Sequence, residues 1–242
     1  MSDHPQSQSP DQMDDRKGEV GMNEIHEVDT YGFVRLVDAM GDDMSVVKAA
    51  RVSYGNESKG EKEDQKLIQY LMKHKHGTPF EHIVFTFHIK CPIFVARQWF
   101  RHRIGSFNEI SGRYTELSTE FFVPEAFREN KTDNHQASKM GNFSEDETIS
   151  MLNEWNYAID ICESTYHSLL EKGVAREQAR AILPMGIYTE FYWTVNLRSL
   201  FNFISLRKAN DAQAEMQEYA KTIQLVAEEK ATWCFEAFES QP

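Results

Sequence analysis

Between residues 97 and 113 the chain carries Arg97-Gln98-Trp99-Phe100-Arg101-His102-Arg103, then Ser106, Asn108, Glu109, Ser111 and Arg113. Four arginines against one glutamate give this stretch a local charge of +3 inside a chain of −12. A guanidinium is a planar fork that grips phosphate bidentately, and serine hydroxyls, asparagine amides and the close backbone approach at Gly105 and Gly112 complete an anion cradle. On a single helix from Ile93 to about Arg103, Arg97 and Arg101 stand at i, i+4 and Gln98 and Arg101 at i, i+3, so one face would present two forks and an amide. Two other readings stay open: arginines engaged in surface ion pairs with the many carboxylates, and a nucleic-acid patch with interleaved aromatics.

Other reactive residue types point to less. His74, His76, His82, His88 and His102 form no H-E-x-x-H motif and no Cys/His pair at ligand spacing, so no metal site is expected. Cys91, Cys162 and Cys234 lie outside the arginine cluster, in apolar sequence, with no C-x-x-C spacing. That pattern predicts reduced, inert thiols in a cytoplasmic protein.

The elements that must hold the cluster follow from periodicity. Phe33 to Met40 alternates loosely before a Gly41-Asp42-Asp43 turn that opens a short helix to about Arg51. Glu61 to Lys75 carries an apolar stripe of Leu67, Ile68, Leu71 and Met72, with Gly77 expected to close the helix. Ile83 to Ile89 and Ile187 to Val195 alternate as half-buried strands, the first ended by Pro92. Ile104 to Tyr114 reads as an ordered loop, and Arg128 to Glu145 as an exposed polar excursion. Ser144-x-x-Glu147 is a capping box that opens a long helix to Gly173. A short helix, Arg176 to Leu183, stops at Pro184, and Asn196 to Arg207 and Asp211 to about Lys230 read as helices. Trp99, Phe100, Phe201 and Phe203 are expected in the core or a subunit contact.

The whole is expected to be a single α+β domain over residues 31–242, a small antiparallel sheet flanked by helices, behind a disordered polar tail at 1–30. The 242 residues are 40% hydrophobic and 26% charged, enough for a self-sufficient core. A net charge of −12 argues against bulk nucleic-acid or anionic-membrane binding, and no apolar run reaches the roughly 18 residues of a membrane span.

Arg101-His102-Arg103-x-x-Ser106-x-Asn108-x-x-Ser111-x-Arg113 resembles the motif of the flavin-dependent thymidylate synthases, seven specified positions in thirteen. The likeness extends to Ala50-Arg51-Val52-Ser53, Thr78-Pro79-Phe80-Glu81-His82, Gln178-Ala179-Arg180 and Asn196 through Asn202 to Arg207, and leaves out the tail and the 129–145 excursion. It implies a homotetramer with shared active sites that converts dUMP to dTMP, with methylenetetrahydrofolate as one-carbon donor and NADPH as reductant acting through FAD. By the same resemblance Ser53, Thr78, Arg101, His102, Arg103, Asn108, Glu109, Asn196, Arg198 and Asn202 contact FAD. Gln98, Arg101, Glu109, Ile110, Ser111, Gly112, Arg113, Arg180 and Arg207 contact dUMP. Arg113, Arg180, Ser111 and the Gly112 amide then make a phosphate cradle. Arg207 stays protonated at any working pH, so it serves as no base and instead stabilises negative charge developing on the uracil. The alternative is a non-catalytic nucleotide- or nucleic-acid-binding protein with the same Arg/Ser/Asn pocket, and a helical scaffold with surface ion pairs is a third.

Overall fold

The computed structural model describes residues 22–55, 57–130 and 138–241. Residues 1–21 of the expected tail lie outside this description, whereas Ile25–Glu27, within the same expected tail, form a first strand, β1. It pairs antiparallel with β2 (Phe33–Met40). The other strands of the main sheet are β3 (Val84–Pro92), β4 (Ser106–Glu109) and β7 (Tyr188–Asn196), in the order β1-β2-β3-β7-β4 with every neighbour antiparallel. A separate hairpin of β5 (Arg128–Asn130) and β6 (Ser138–Met140) occupies the expected excursion. The architecture is a mixed helix-and-sheet domain built on a small antiparallel sheet, as the alternating segments predict.

β4 falls in the stretch read as a loop. Serine and asparagine are poor strand formers, so the local sequence points away from a strand, but the edge of β7 offers unpaired backbone groups that Ser106–Glu109 completes. Phe107 then inserts between Phe100 and Trp193, with ring centroids 5.0 and 6.0 Å away. Gly105 precedes it because a Cβ there would stand 2.8 Å from Trp193 Nε1.

One face of the sheet is apolar. Val34, Leu36, Phe85, Phe87, Ile89, Phe191, Trp193 and Val195 are all buried there. Over them lie α3 (Ile93–Trp99), α6 (Leu197–Arg207) and α7 (Ala214–Glu228), with Trp99, Phe203 and Tyr219 fully buried at the contact. At about 25 cal/mol per Å2 of buried apolar surface, these aromatics dominate the stabilisation of this layer. Trp99 and Phe203 are core, as expected. The opposite face is polar: Arg35, His88, Tyr192 and Asn108 stand in one row across four strands.

Helix ends match local chemistry with two corrections. Asp42 and Ser144 both close capping boxes, opening α1 (Asp43–Ala50) and α4 (Glu145–Glu171). α2 (Glu61–Lys73) is closed by Lys75, at φ 57°, and not by Gly77, at φ −76°. His76 N–H reaches Leu71 O at 2.9 Å and Lys75 N–H reaches Met72 O at 3.0 Å, the paired bonds of a left-handed C-terminal cap. α3 ends at Trp99, one turn earlier than its lack of Gly and Pro suggests, because the chain turns back to run beside β7. Arg101 is therefore off the helix, and the two-fork helical face expected from Arg97 and Arg101 does not form.

The segment between α1 and α2 is tied down by a buried pair. Arg51 Nη1 stands 2.5 Å from Asp64 Oδ1 and 2.9 Å from Glu57 O, while Ser58 Oγ donates to Asp64 Oδ2. This pair anchors the short 3-10 turn Val52–Tyr54, which carries Ser53.

Candidate active site

The turn Arg101–Ile104 and the outward face of α6 enclose a cleft of about 900 Å3. Its walls include Arg101, His102, Arg103, Asn196, Arg198, Asn202 and Arg207. Seven of the residues named from the sequence thus converge although up to 106 positions separate them, and the convergence is the work of β7. That strand delivers Asn196 to the start of α6, where its Oδ1 accepts the Ser199 N–H at 2.9 Å and caps the helix. The α-helical period then places Arg198, Asn202 and Arg207 along the cleft.

Arg207 Nε donates to His102 Nε2 at 2.9 Å, and Arg207 Nη2 donates to Gln98 O at 2.9 Å. A guanidinium only donates, so His102 Nε2 must be bare and the ring proton resides on Nδ1. Burial, and then the Arg207 charge beside it, pull the His102 pKa down to about 4, so the imidazole is neutral near pH 7. Phe203 meets the ring edge-on at 5.0 Å and limits its rotation. Desolvation lowers the Arg207 pKa from its ordinary value, yet a guanidinium remains cationic at working pH.

Arg198 extends the cleft. Its Nη1 stands 2.6 Å from Glu81 Oε1 on the 3-10 turn Thr78–His82, and a Cβ on Gly77 would lie 2.6 Å from its Nε. The same side chain borders two further clefts, of about 510 Å3 beside Thr78 and about 970 Å3 beside Lys75 and Asn202. Arg198 is thus common to the cleft bordered by Arg207 and the one bordered by Thr78.

The remaining sequence-named residues stand elsewhere. Ser53, Asn108, Glu109, Ile110, Ser111, Gly112, Arg113 and Arg180 line none of these three clefts. Glu109 Oε1 accepts from Thr189 Oγ1 at 2.7 Å. Arg113 Nε stands 3.2 Å from Glu177 Oε2 on α5 (Arg176–Ala179), and Arg180 follows directly after that helix. Ser111, Gly112, Arg113 and Arg180 thus stand outside the cleft of the same chain, with Arg113 paired to the helix that Arg180 follows. Gln98 bridges neither set alone: its carbonyl holds Arg207, and its amide Nε2 donates to Gln213 Oε1 at 2.5 Å.

A further cavity of about 760 Å3, walled by Phe94, Phe122, Phe127 and Trp155, contains none of the residues expected to contact FAD or dUMP. Among the described residues no group of three or more His, Cys, Asp or Glu side chains could cage a metal ion, and no helix is long and apolar enough to cross a membrane. All three cysteines are free. Burial, followed by the Asp29 and Glu109 charges, pushes the Cys91 thiol well up, and burial and Asp43 do the same to Cys234. Sequence reasoning missed Gln213, which holds Gln98, and Glu215, which holds Gln213, because no local pattern links them to a residue more than 100 positions away.

Residues 35–231 match the family described as thymidylate synthase complementing protein. The chain is 56% identical over 215 residues to the flavin-dependent thymidylate synthase of Thermosipho africanus, spanning 86% of this chain and 90% of that protein. With the Thermus thermophilus protein of the same name it shares 52% identity over 208 residues, 86% of this chain and 76% of the other. Among solved structures, the UMP/dUMP methylase PolB from Streptomyces cacaoi bound with 5-Br dUMP superposes with a TM-score of 0.79 at 34% identity, over 86% of this chain and 95% of that one.

Proposed function

This chain belongs to the thymidylate synthase complementing protein family, whose relatives are named flavin-dependent thymidylate synthases, and from that premise we propose that it methylates dUMP to dTMP at the Arg207–His102 cleft. It is a methyltransferase, so the non-catalytic binding reading gives way. We further propose FAD as the flavin, methylenetetrahydrofolate as the one-carbon donor, NADPH as the reductant and a homotetramer as the assembly. The free thiols support a cytoplasmic location.

The donor set fits FAD. Arg101, Arg103 and Arg198 offer guanidinium groups to a pyrophosphate, and His102 Nδ1–H and the Asn202 amide offer neutral hydrogen bonds to a ring edge. Gly77, with no Cβ, leaves Arg198 lying against the backbone beside Thr78. When bound, FAD supplies the hydride chemistry, and the protein supplies position and field.

Arg207 has the chemistry to carry the activation step. Held at Nε by His102 and at Nη2 by the Gln98 carbonyl, it keeps its remaining N–H groups for a ligand and needs little reorganisation to stabilise charge on a uracil ring. Neutral His102 adds no competing positive charge. Ser111, Gly112, Arg113 and Arg180 suit the nucleotide phosphate, and their separation from Arg207 within one chain supports sites assembled from two subunits.

The observation that carries this reading is the single cleft holding Arg101, His102, Arg103, Asn202 and Arg207 in a chain of net charge −12. Titrating the apoprotein with FAD, with and without dUMP, should perturb flavin absorbance and fluorescence. No change with either ligand overturns the proposal.

A further inference from the structure

Gln98 ends a polar chain that starts 30 residues downstream in the hairpin. Arg128 Nη2 donates to Glu215 Oε1 at 2.5 Å, Gln213 Nε2 donates to Glu215 Oε2 at 2.9 Å, and Gln98 Nε2 donates to Gln213 Oε1 at 2.5 Å. The direction of each bond is forced. Arg128 only donates and the ionised Glu215 only accepts, so Gln213 must turn its NH2 toward Glu215 and its oxygen toward Gln98. Gln98 must then give an N–H to that oxygen, which leaves Gln98 Oε1 facing away from the chain.

We propose that Arg128, Glu215 and Gln213 are positioning residues that fix which end of the Gln98 amide meets the nucleotide, so that Gln98 presents an acceptor to a sugar hydroxyl or to the uracil N3–H. This deepens the dUMP reading and rests on it. Glu215 is the polarity-setting member. Its side chain is 12% exposed and both of its oxygens are engaged, so water competes weakly for these bonds. Gln98 also holds Arg207 through its backbone carbonyl, so the amide set by this chain belongs to a residue bonded directly to a wall of the cleft. Arg128 lies in the stretch whose polar composition predicts an exposed excursion.

Glu215→Gln keeps the shape and reverses the polarity. Arg128 would take the new amide oxygen, the new NH2 would face Gln213, Gln213 would turn its own NH2 to Gln98, and Gln98 would present NH2 to the nucleotide in place of oxygen. The double variant Gln213→Glu/Glu215→Gln restores the original sense, because Glu at 213 accepts from Gln at 215 on one oxygen and from Gln98 on the other.

The test is dUMP affinity by calorimetry on flavin-loaded protein, with flavin content measured for each variant. Glu215→Gln should weaken dUMP binding about tenfold, the scale of one mispaired hydrogen bond, with flavin content unchanged and turnover at saturating dUMP less affected. The double variant should recover most of the loss. A role in general stability would not produce that recovery, so an unaffected Glu215→Gln variant, or a double variant as weak as the single one, overturns the proposal. If Glu215→Gln fails to fold, Gln213→Met cuts the chain without adding charge, and unchanged dUMP affinity in it is equally fatal. Absence of dUMP binding in the unsubstituted protein would instead overturn the functional reading, and this one with it.

Discussion

Arg207 Nε and His102 Nε2 are 2.9 Å apart, an arrangement that a protonated imidazole cannot make. The bond makes the histidine's charge a function of the arginine's position. With a pKa of about 4 in the fold against an ordinary 6.5, His102 binds fewer protons in the native state than in the unfolded chain between those values. Its contribution to stability is therefore complete above pH 6.5 and lost as the pH falls toward about 4. Melting temperatures of the unsubstituted protein should fall more steeply across that window than those of His102→Gln, which keeps an acceptor for Arg207 but cannot titrate. Parallel curves would show that His102 takes up protons in the fold as it does in the unfolded chain.

Arg180 and Arg207 should fail differently. A phosphate contact is made in ground and transition states alike, so Arg180→Ala should raise the Michaelis constant for dUMP, by about tenfold or more, and lower turnover less. Arg207→Ala should lower turnover by roughly 100-fold or more, as expected for loss of a preorganised donor to developing charge. Steady-state kinetics on flavin-loaded variants reads both, and the opposite pattern would exchange the two roles.

Subunit mixing tests the separation of Arg180 from the cleft. Arg101 and Arg207 border one cleft of one chain, whereas Arg180 does not. Mixed oligomers of Arg180→Ala with Arg207→Ala subunits should recover about a quarter of full activity, because random assembly of two-chain sites leaves that share intact. Arg101→Ala mixed with Arg207→Ala should recover nothing. Equal recovery in both mixtures would refute the division of the site.

Among the described residues no cysteine lines the cleft, and no covalent bond from the protein to dUMP is expected. Cys91 and Cys234 are buried with raised pKa values, and Cys162 borders the apolar cavity and not the cleft. Ser111 has Arg113 N–H as its recorded side-chain partner, at 3.4 Å, which is no base. Ser111→Ala should cost on the order of 1–3 kcal/mol, about 10- to 100-fold in activity, against the roughly million-fold loss that removal of a nucleophile brings. A trapped protein–nucleotide adduct in mass spectrometry would overturn this expectation.

The arginine-rich motif, the capping boxes at Asp42 and Ser144 and the alternation at Ile83–Ile89 and Ile187–Val195 were legible because each is a local pattern, one whose physical cause lies within a few residues. From them the elements follow, and with them the family. Tertiary structure decided the rest. Ser106–Glu109 became a strand only because β7 had an open edge beside it, and α3 stopped at Trp99 only because the chain had to return along that edge. That return moved Arg101 off the helix face and into a cleft with Arg207, and left Arg113 and Arg180 outside it. The tautomer of His102 and the sense of the Gln98 amide were likewise beyond the sequence, since each is set by partners more than 100 positions away, the Arg207 donor for one and the accepting Gln213 oxygen, itself oriented by Glu215, for the other. A hydrogen bond acts over about 3 Å of space, and only the fold decides which distant residues come that near.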